Sequence, residues 1–168
     1  MIIEIQELKK VMPEIFERVK NDVKKVTGRH RAGLSLGLAE MGMTPRGFIG
    51  GMHFPPGTDI VMNKTPLKMI LETQPYGVVW AYTYHILLHE YLHSLGVWDE
   101  QQCRAITLRI SEEIFEEADH PALIFAKNGI GSYFPNLELI YRPPEQRPDG
   151  ISIEYINGFD KESYSYYS

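Results

Sequence analysis

Residues 77–99 read GVVWAYTYHILLHEYLHSLGVWD. Val78, Val79, Trp80, Tyr82, Ile86, Leu87, Leu88, Tyr91, Leu92 and Leu95 leave no polar side on a helix drawn over 77–95, so that helix is expected to cross the core rather than lie on the surface. Gly96 supplies its stop. Within it, His89 and His93 stand four residues apart, so both imidazoles leave one face a turn apart, where they can reach one metal ion. Glu90 lies about 100° round the helix from His89, placed to sit beside a zinc-bound water without ligating and to take its proton as the water attacks a carbonyl. His85 extends the row to i, i+4, i+8, but 85 and 93 are ~12 Å apart along a straight helix, too far for one tetrahedral ion, which leaves His85 to packing or outer support.

A catalytic zinc takes three protein ligands and keeps one position for water, so a further ligand must come from beyond this helix. Two readings of Asp99 stand side by side. Gly96 lets the chain turn back so that Asp99 ligates, or Asp99 caps the next helix, with Gln102 three positions on completing the capping-box pattern. Glu100 and Cys103, in the first turns of that helix, are the reserves. Glu113 lies ~20 Å along it and is out of reach.

The flanks read as mixed structure. Leu8, Val11, Met12, Ile15, Phe16, Val19, Val23 and Val26 recur at helical spacing, with Gly28 as the stop and Pro13 as either a kink or the opening of the main segment. Alternation predicts strands over 32–39, 47–54 and 59–63, the last two paired around Pro55, Pro56 and Gly57. Thr65 followed by Pro66 predicts an N-cap and a short helix over 67–72, and a further helix is expected from 99 to about 118 with Ile106, Ile110 and Ile114 as its stripe. Prolines punctuate 118–168, which reads as irregular apart from strand-like pieces at 137–141 and 151–156; the chain reads as one domain, 1–168.

At His89, Glu90 and His93 the chain resembles the zincin metallopeptidases, whose active-site helix carries His-Glu-x-x-His. Continued through Gly96 to Asp99, the stretch is similar to the metzincin signature with aspartate as last ligand, although all seven methionines precede His89 and no methionine turn follows. The resemblance implies an α+β minimal zincin-like domain, a small mixed sheet packed on the central motif helix and flanking helices. It implies Zn2+ as cofactor, His89, His93 and Asp99 as ligands, Glu90 as general base and a peptide or protein as substrate. It also nominates a strand edge, 50–54 or 59–63, to pair with substrate backbone. His53, His120 and tyrosines such as Tyr155 and Tyr164 are candidates to stabilise an oxyanion, without a signal that selects one.

A second resemblance, to the small bacterial endoribonucleases of ribosomal RNA maturation, rests on His-x-x-x-His-x-x-Gly; in those the residue after the first histidine is typically glycine, where this chain has Glu90. A zinc-binding protein without turnover would keep the histidines alone. Composition weighs on the peptide side: a net charge of −5 and a pI of 5.7 give no broad attraction to nucleic acid or an anionic membrane. Cys103 is the only cysteine, so no intrachain disulfide forms. No apolar run has the length of a signal core or a membrane span, which makes the cytoplasm the expected location.

Overall fold

The computed structural model describes residues 3–45, 47–54, 57–134, 138–140 and 152–156. The 19-residue motif helix, α3 (Tyr76–Ser94), is buried along nearly all of its length, with Trp80 half-buried near its start. Among the described residues, four other α-helices surround or precede it in this α+β arrangement: α1 (Ile5–Thr27), α2 (Lys64–Thr73), α4 (Glu100–Ile114) and α5 (Pro121–Asn128). A continuous α1 runs through Pro13 and lays Leu8, Met12, Ile15, Phe16, Val19 and Val23 into the core. It ends where Gly28 turns left-handed at φ 77° and returns its N–H to Lys24 O.

Among the described residues, six short strands make two sheets. β3 (Gly51–His53), β4 (Asp59–Asn63), β1 (Ser35–Ala39) and β6 (Glu154–Tyr155) lie in that order, with β1 parallel to β4 and both outer strands antiparallel to their neighbours. β2 (Gly47–Ile49) pairs in parallel with β5 (Glu138–Ile140). The period of two in the sequence maps onto two faces. Leu36, Leu38, Ile60 and Met62 join the helices in the main core, whereas Ala39, Met52, Phe54 and Val61 form a small cluster on the opposite face.

The expected 47–54 strand is broken at Gly50, and its halves belong to different sheets. A Cβ on Gly50 would stand 2.5 Å from Ile86 Cδ1, and one on Gly51 would stand 2.9 Å from both Ile86 Cγ2 and Val61 O. The two glycines therefore let β3 come down onto α3. Asn63 braces the bend, because its buried amide donates to Ile49 O (2.8 Å) and Gly42 O (2.9 Å) while its oxygen accepts from Met41 N–H (2.9 Å) and Thr65 N–H (3.1 Å). Asn63, not Thr65, is thus the cap of α2.

Two expectations for the later chain are revised. The helix from Asp99 stops at Ile114, short of 118, because Phe115 turns inward against Trp80, Tyr84 and His120. Within the described part of 118–168 a helix not expected from the sequence forms: His120 caps α5, Pro121 opens it, and Ala122, Leu123 and Phe125 are buried. The strand-like pieces are β5 and β6, within 137–141 and 151–156; Tyr164 and the end of the chain lie outside the described residues. No described helix is long and apolar enough to cross a membrane.

Candidate metal centre and its surroundings

The C-terminal end of α3 is shaped by one glycine. Gly96 adopts φ 95°, its N–H bonds to His93 O (3.0 Å) and the Val97 N–H bonds to Leu92 O (3.1 Å), the paired bonds of a Schellman stop. This turn carries the Val97 carbonyl onto the His93 ring, 2.7 Å from Nδ1. A carbonyl oxygen only accepts, so Nδ1 of His93 bears the proton and Nε2 faces the other way. The remaining carbonyls at the end of α3 are met by cations, Ser94 O by Arg31 Nη1 at 2.6 Å and Leu95 O by Arg29.

Three residues further on, Asp99 begins α4 as its N-cap, accepting from Gln102 N–H at 2.8 Å. Its carboxylate is committed to the cap, and Asp99 is exposed. The carboxylate that meets the histidines is that of the next residue: Glu100 Oε1 lies 2.6 Å from His93 Nε2 and Oε2 lies 3.0 Å from His89 Nε2. Of the two readings of Asp99, the geometry supplies the cap, and it is Glu100 that stands beside the histidines. The sequence contained the reason, since a residue in the first helical turn follows the cap directly and its negative charge is favoured by the helix dipole.

His89 Nε2 and His93 Nε2 are 3.1 Å apart, so two ring nitrogens and a carboxylate converge. Donors on one tetrahedral zinc stand ~3.3 Å apart, given bonds of about 2.0–2.1 Å. The observed 2.6–3.1 Å spacings are slightly tighter than that and of the same order. Converging lone pairs repel unless a cation lies among them, either protons or a metal ion. The proton answer is visible in the acid–base behaviour. Burial disfavours charge on His93, but the Glu100 hydrogen bond, with Glu90 nearby, outweighs it and raises the imidazole pKa. Burial would likewise raise the Glu100 carboxyl, yet the hydrogen bonds from His89 and His93 hold it down at about 2.

Glu90 is buried and its Oε1 has no hydrogen-bond partner among the described residues. Burial raises its pKa, opposed by the charges of His89 and His93 and assisted by that of Glu100. Its Cγ lies 3.5 Å from where a Cβ on Gly51 would be, which puts β3 directly over it. Two residues on, His53 shares the helix-facing side of β3 with Gly51; it is buried, donates Nδ1–H to Asp59 O at 3.2 Å, and its pKa is lowered chiefly by burial. His53 is thus the oxyanion candidate on the same strand as Gly51.

Cys103 occupies the other edge of the His89 ring. Its buried sulfur is 3.6 Å from Nδ1 and donates to His89 O at 3.4 Å; burial, with Glu90 and Glu100, raises the thiol pKa so that it stays protonated. One ligand atom each from His89, His93 and Cys103 lies within 4.8 Å of the others.

The other candidates lie elsewhere. His85 packs against Phe125 and is held neutral by burial, its pKa pushed down to about 3. His120 stands towards the beginning of α3, stacked on Phe115 and lining a 550 Å³ cavity with Arg18 and Trp80. Tyr155 is bonded to Asp59 Oδ2 at 2.7 Å on the far side of the sheet, where β6 pairs with β1, and Glu113 pairs with Arg109 on the exposed face of α4. No protein-family model, curated protein or solved structure matches the chain.

Proposed function

We propose that this chain is a zinc-dependent hydrolase of zincin-like fold, acting on peptide bonds in a peptide or protein, with His89, His93 and Glu100 holding the ion. The observation that carries this reading is the convergence of His89 Nε2, His93 Nε2 and the Glu100 carboxylate beside a buried Glu90 whose Oε1 has no hydrogen-bond partner among the described residues. A set of two imidazoles and one carboxylate suits zinc, and three protein ligands leave a position open. Bound there, zinc supplies Lewis-acid polarisation of the substrate carbonyl and acidifies water.

The chain's own groups divide the remaining work. Glu90 holds and transfers the proton: its buried carboxylate draws one from the attacking water at Oε1 and delivers it to the leaving amine. Its raised proton affinity suits both halves of that task. His93 keeps its orientation through Val97 O, and Glu100 keeps its negative charge beside the two imidazoles, in the first turn of α4 where that charge is favoured. Among the described residues β3 is the end strand of its sheet, over Glu90, and its backbone suits an extended peptide laid alongside. That, with the −5 charge, favours peptide over RNA.

The test is metal analysis of wild type, Glu90→Gln and His93→Ala alongside peptide-library and RNA cleavage. The expected result is about one zinc per wild-type chain, peptide cleavage abolished by Glu90→Gln with zinc retained, and zinc lost in His93→Ala. Absence of stoichiometric metal from wild type overturns the proposal; cleavage of RNA alone overturns the substrate assignment.

A further inference from the structure

We propose that Cys103 is a positioning residue for His89, fixing the proton on Nδ1 and so aiming the Nε2 lone pair at the ion. This rests on the metal-centre reading above and goes beyond it, because it assigns the sulfur a role other than ligation. His93 has its Nδ1–H anchored by the Val97 carbonyl, and at the corresponding nitrogen of His89 stands the sulfur of Cys103.

The direction of the hydrogen bonds follows from the donors available. A thiol has one proton, and here it is given to His89 O at 3.4 Å. The sulfur then faces Nδ1 at 3.6 Å with lone pairs only, so the contact is a hydrogen bond only if Nδ1 carries the proton. With Nδ1 so protonated, Nε2 is the nitrogen that gives up its shared proton and offers a lone pair when the ion binds, on the edge where Glu100 and His93 stand. Glu100 and Cys103 are three residues apart on α4, hence on neighbouring turns of one face, and the helix holds the His89 ring by both edges. The Thr107 hydroxyl, donating to Cys103 O at 2.8 Å, ties that turn to the next.

Ligation by the sulfur is the competing arrangement. Sulfur and nitrogen on one tetrahedral zinc stand ~3.6 Å apart, from bonds of about 2.3 and 2.0–2.1 Å. The Cys103 sulfur meets that spacing only to His89 Nδ1, at 3.6 Å, and an ion held there would lie on the opposite edge of the ring from Glu100, which meets Nε2. Partners of this outer kind change metal affinity without being ligands.

The experiment is zinc affinity by chelator competition on the full chain for wild type, Cys103→Ala, Cys103→Val and Cys103→Ser, with metal-free melting temperature measured for each. Alanine and valine are expected to weaken zinc binding by about 10–100-fold. Two variants are used so that one failing to fold leaves the other. Serine, whose hydroxyl accepts from Nδ1–H and donates to the carbonyl, is expected to recover most of the affinity. Cobalt-loaded wild type is expected to lack a thiolate-to-metal charge-transfer band. Wild-type affinity in a folded alanine or valine variant overturns the proposal, as does a charge-transfer band with serine as weak as alanine, which would make Cys103 a ligand. If Glu100→Gln loses zinc while Cys103→Ala does not, the metal centre stands and only this proposal falls; if wild type itself takes up no zinc, both fall.

Discussion

Glu100 Oε1 stands 2.6 Å from His93 Nε2, and the same carboxylate reaches His89 through its other oxygen at 3.0 Å. Its neighbour Asp99 instead closes the end of α4. Adjacent acids with different tasks give opposite mutational signatures. Glu100→Gln keeps the shape and removes the charge, so zinc content should fall sharply, and the metal-free chain also loses the stability that the charge contributes above pH 4.5. Asp99→Ala should keep its zinc and lower stability by about 1 kcal/mol, the usual cost of a lost N-cap. Zinc stoichiometry and denaturant unfolding on both variants test this; zinc lost from Asp99→Ala and kept by Glu100→Gln would reverse the assignment.

Glu90 combines a catalytic expectation with a stability expectation of opposite sign. Glu90→Gln should lower peptide hydrolysis by about 10²–10⁴-fold, the usual contribution of a general base. Its pKa is raised above the ordinary 4.5 by burial, so the native state binds the proton more tightly than the unfolded chain. Stability is therefore lost as pH rises from 4.5 through the raised value. The metal-free glutamine variant should accordingly match wild type near pH 4 and melt higher at pH 7. A variant that is less stable at pH 7 would contradict this account of the buried carboxyl.

The pair His93 and Glu100 sets a second pH window in the metal-free protein. Glu100, held at about 2 against an ordinary 4.5, contributes stability above 4.5 that is lost as pH falls towards 2. His93, raised above 6.5, contributes stability below 6.5 that is lost as pH rises through its folded value. The contribution of this pair is therefore greatest between 4.5 and 6.5. Zinc would compete with the His93 proton for Nε2, so metal uptake near pH 6 should release protons into a weak buffer. Zinc binding with no acidification at that pH would show that protons and metal do not share the site.

What could be read from the sequence was what depends on local periodicity. α3 was legible because its apolar residues leave no polar side, and His89, Glu90 and His93 because helical spacing alone puts them where they are. The choice between Asp99 and Glu100 was not, since it turns on where Gly96 and the Schellman bonds direct the next residues. Adjacent glycines inside a strand, as at Gly50 and Gly51, fit a bulge as well as a close approach of backbone. Only the positions of Ile86, Val61 and Glu90 decide for close approach, and those are contacts between distant segments. α5 escaped notice because eight residues with a histidine cap give little periodicity to detect.

Asn63 links the fold to the site most directly. Its side chain makes four hydrogen bonds from a fully buried position, and its own N–H bonds to Gly50 O at 2.8 Å, at the bend that lowers β3 onto Glu90. Asn63→Ala would leave two N–H groups and two carbonyls without that partner, and each buried unsatisfied group costs about 1–3 kcal/mol. Relaxation and water will recover part of this, so a loss of roughly 3 kcal/mol or more is expected. Aspartate should rescue little, because it keeps the acceptor for Met41 and Thr65 but turns an oxygen towards Gly42 O and Ile49 O. Since the bend positions β3 and not the ligands, peptide cleavage should fall further than zinc affinity in whatever fraction stays folded. Denaturant unfolding with zinc titration of Asn63→Ala and Asn63→Asp provides the measurement. A near-neutral aspartate variant would mean that the two amide donations carry little of the stability of the bend.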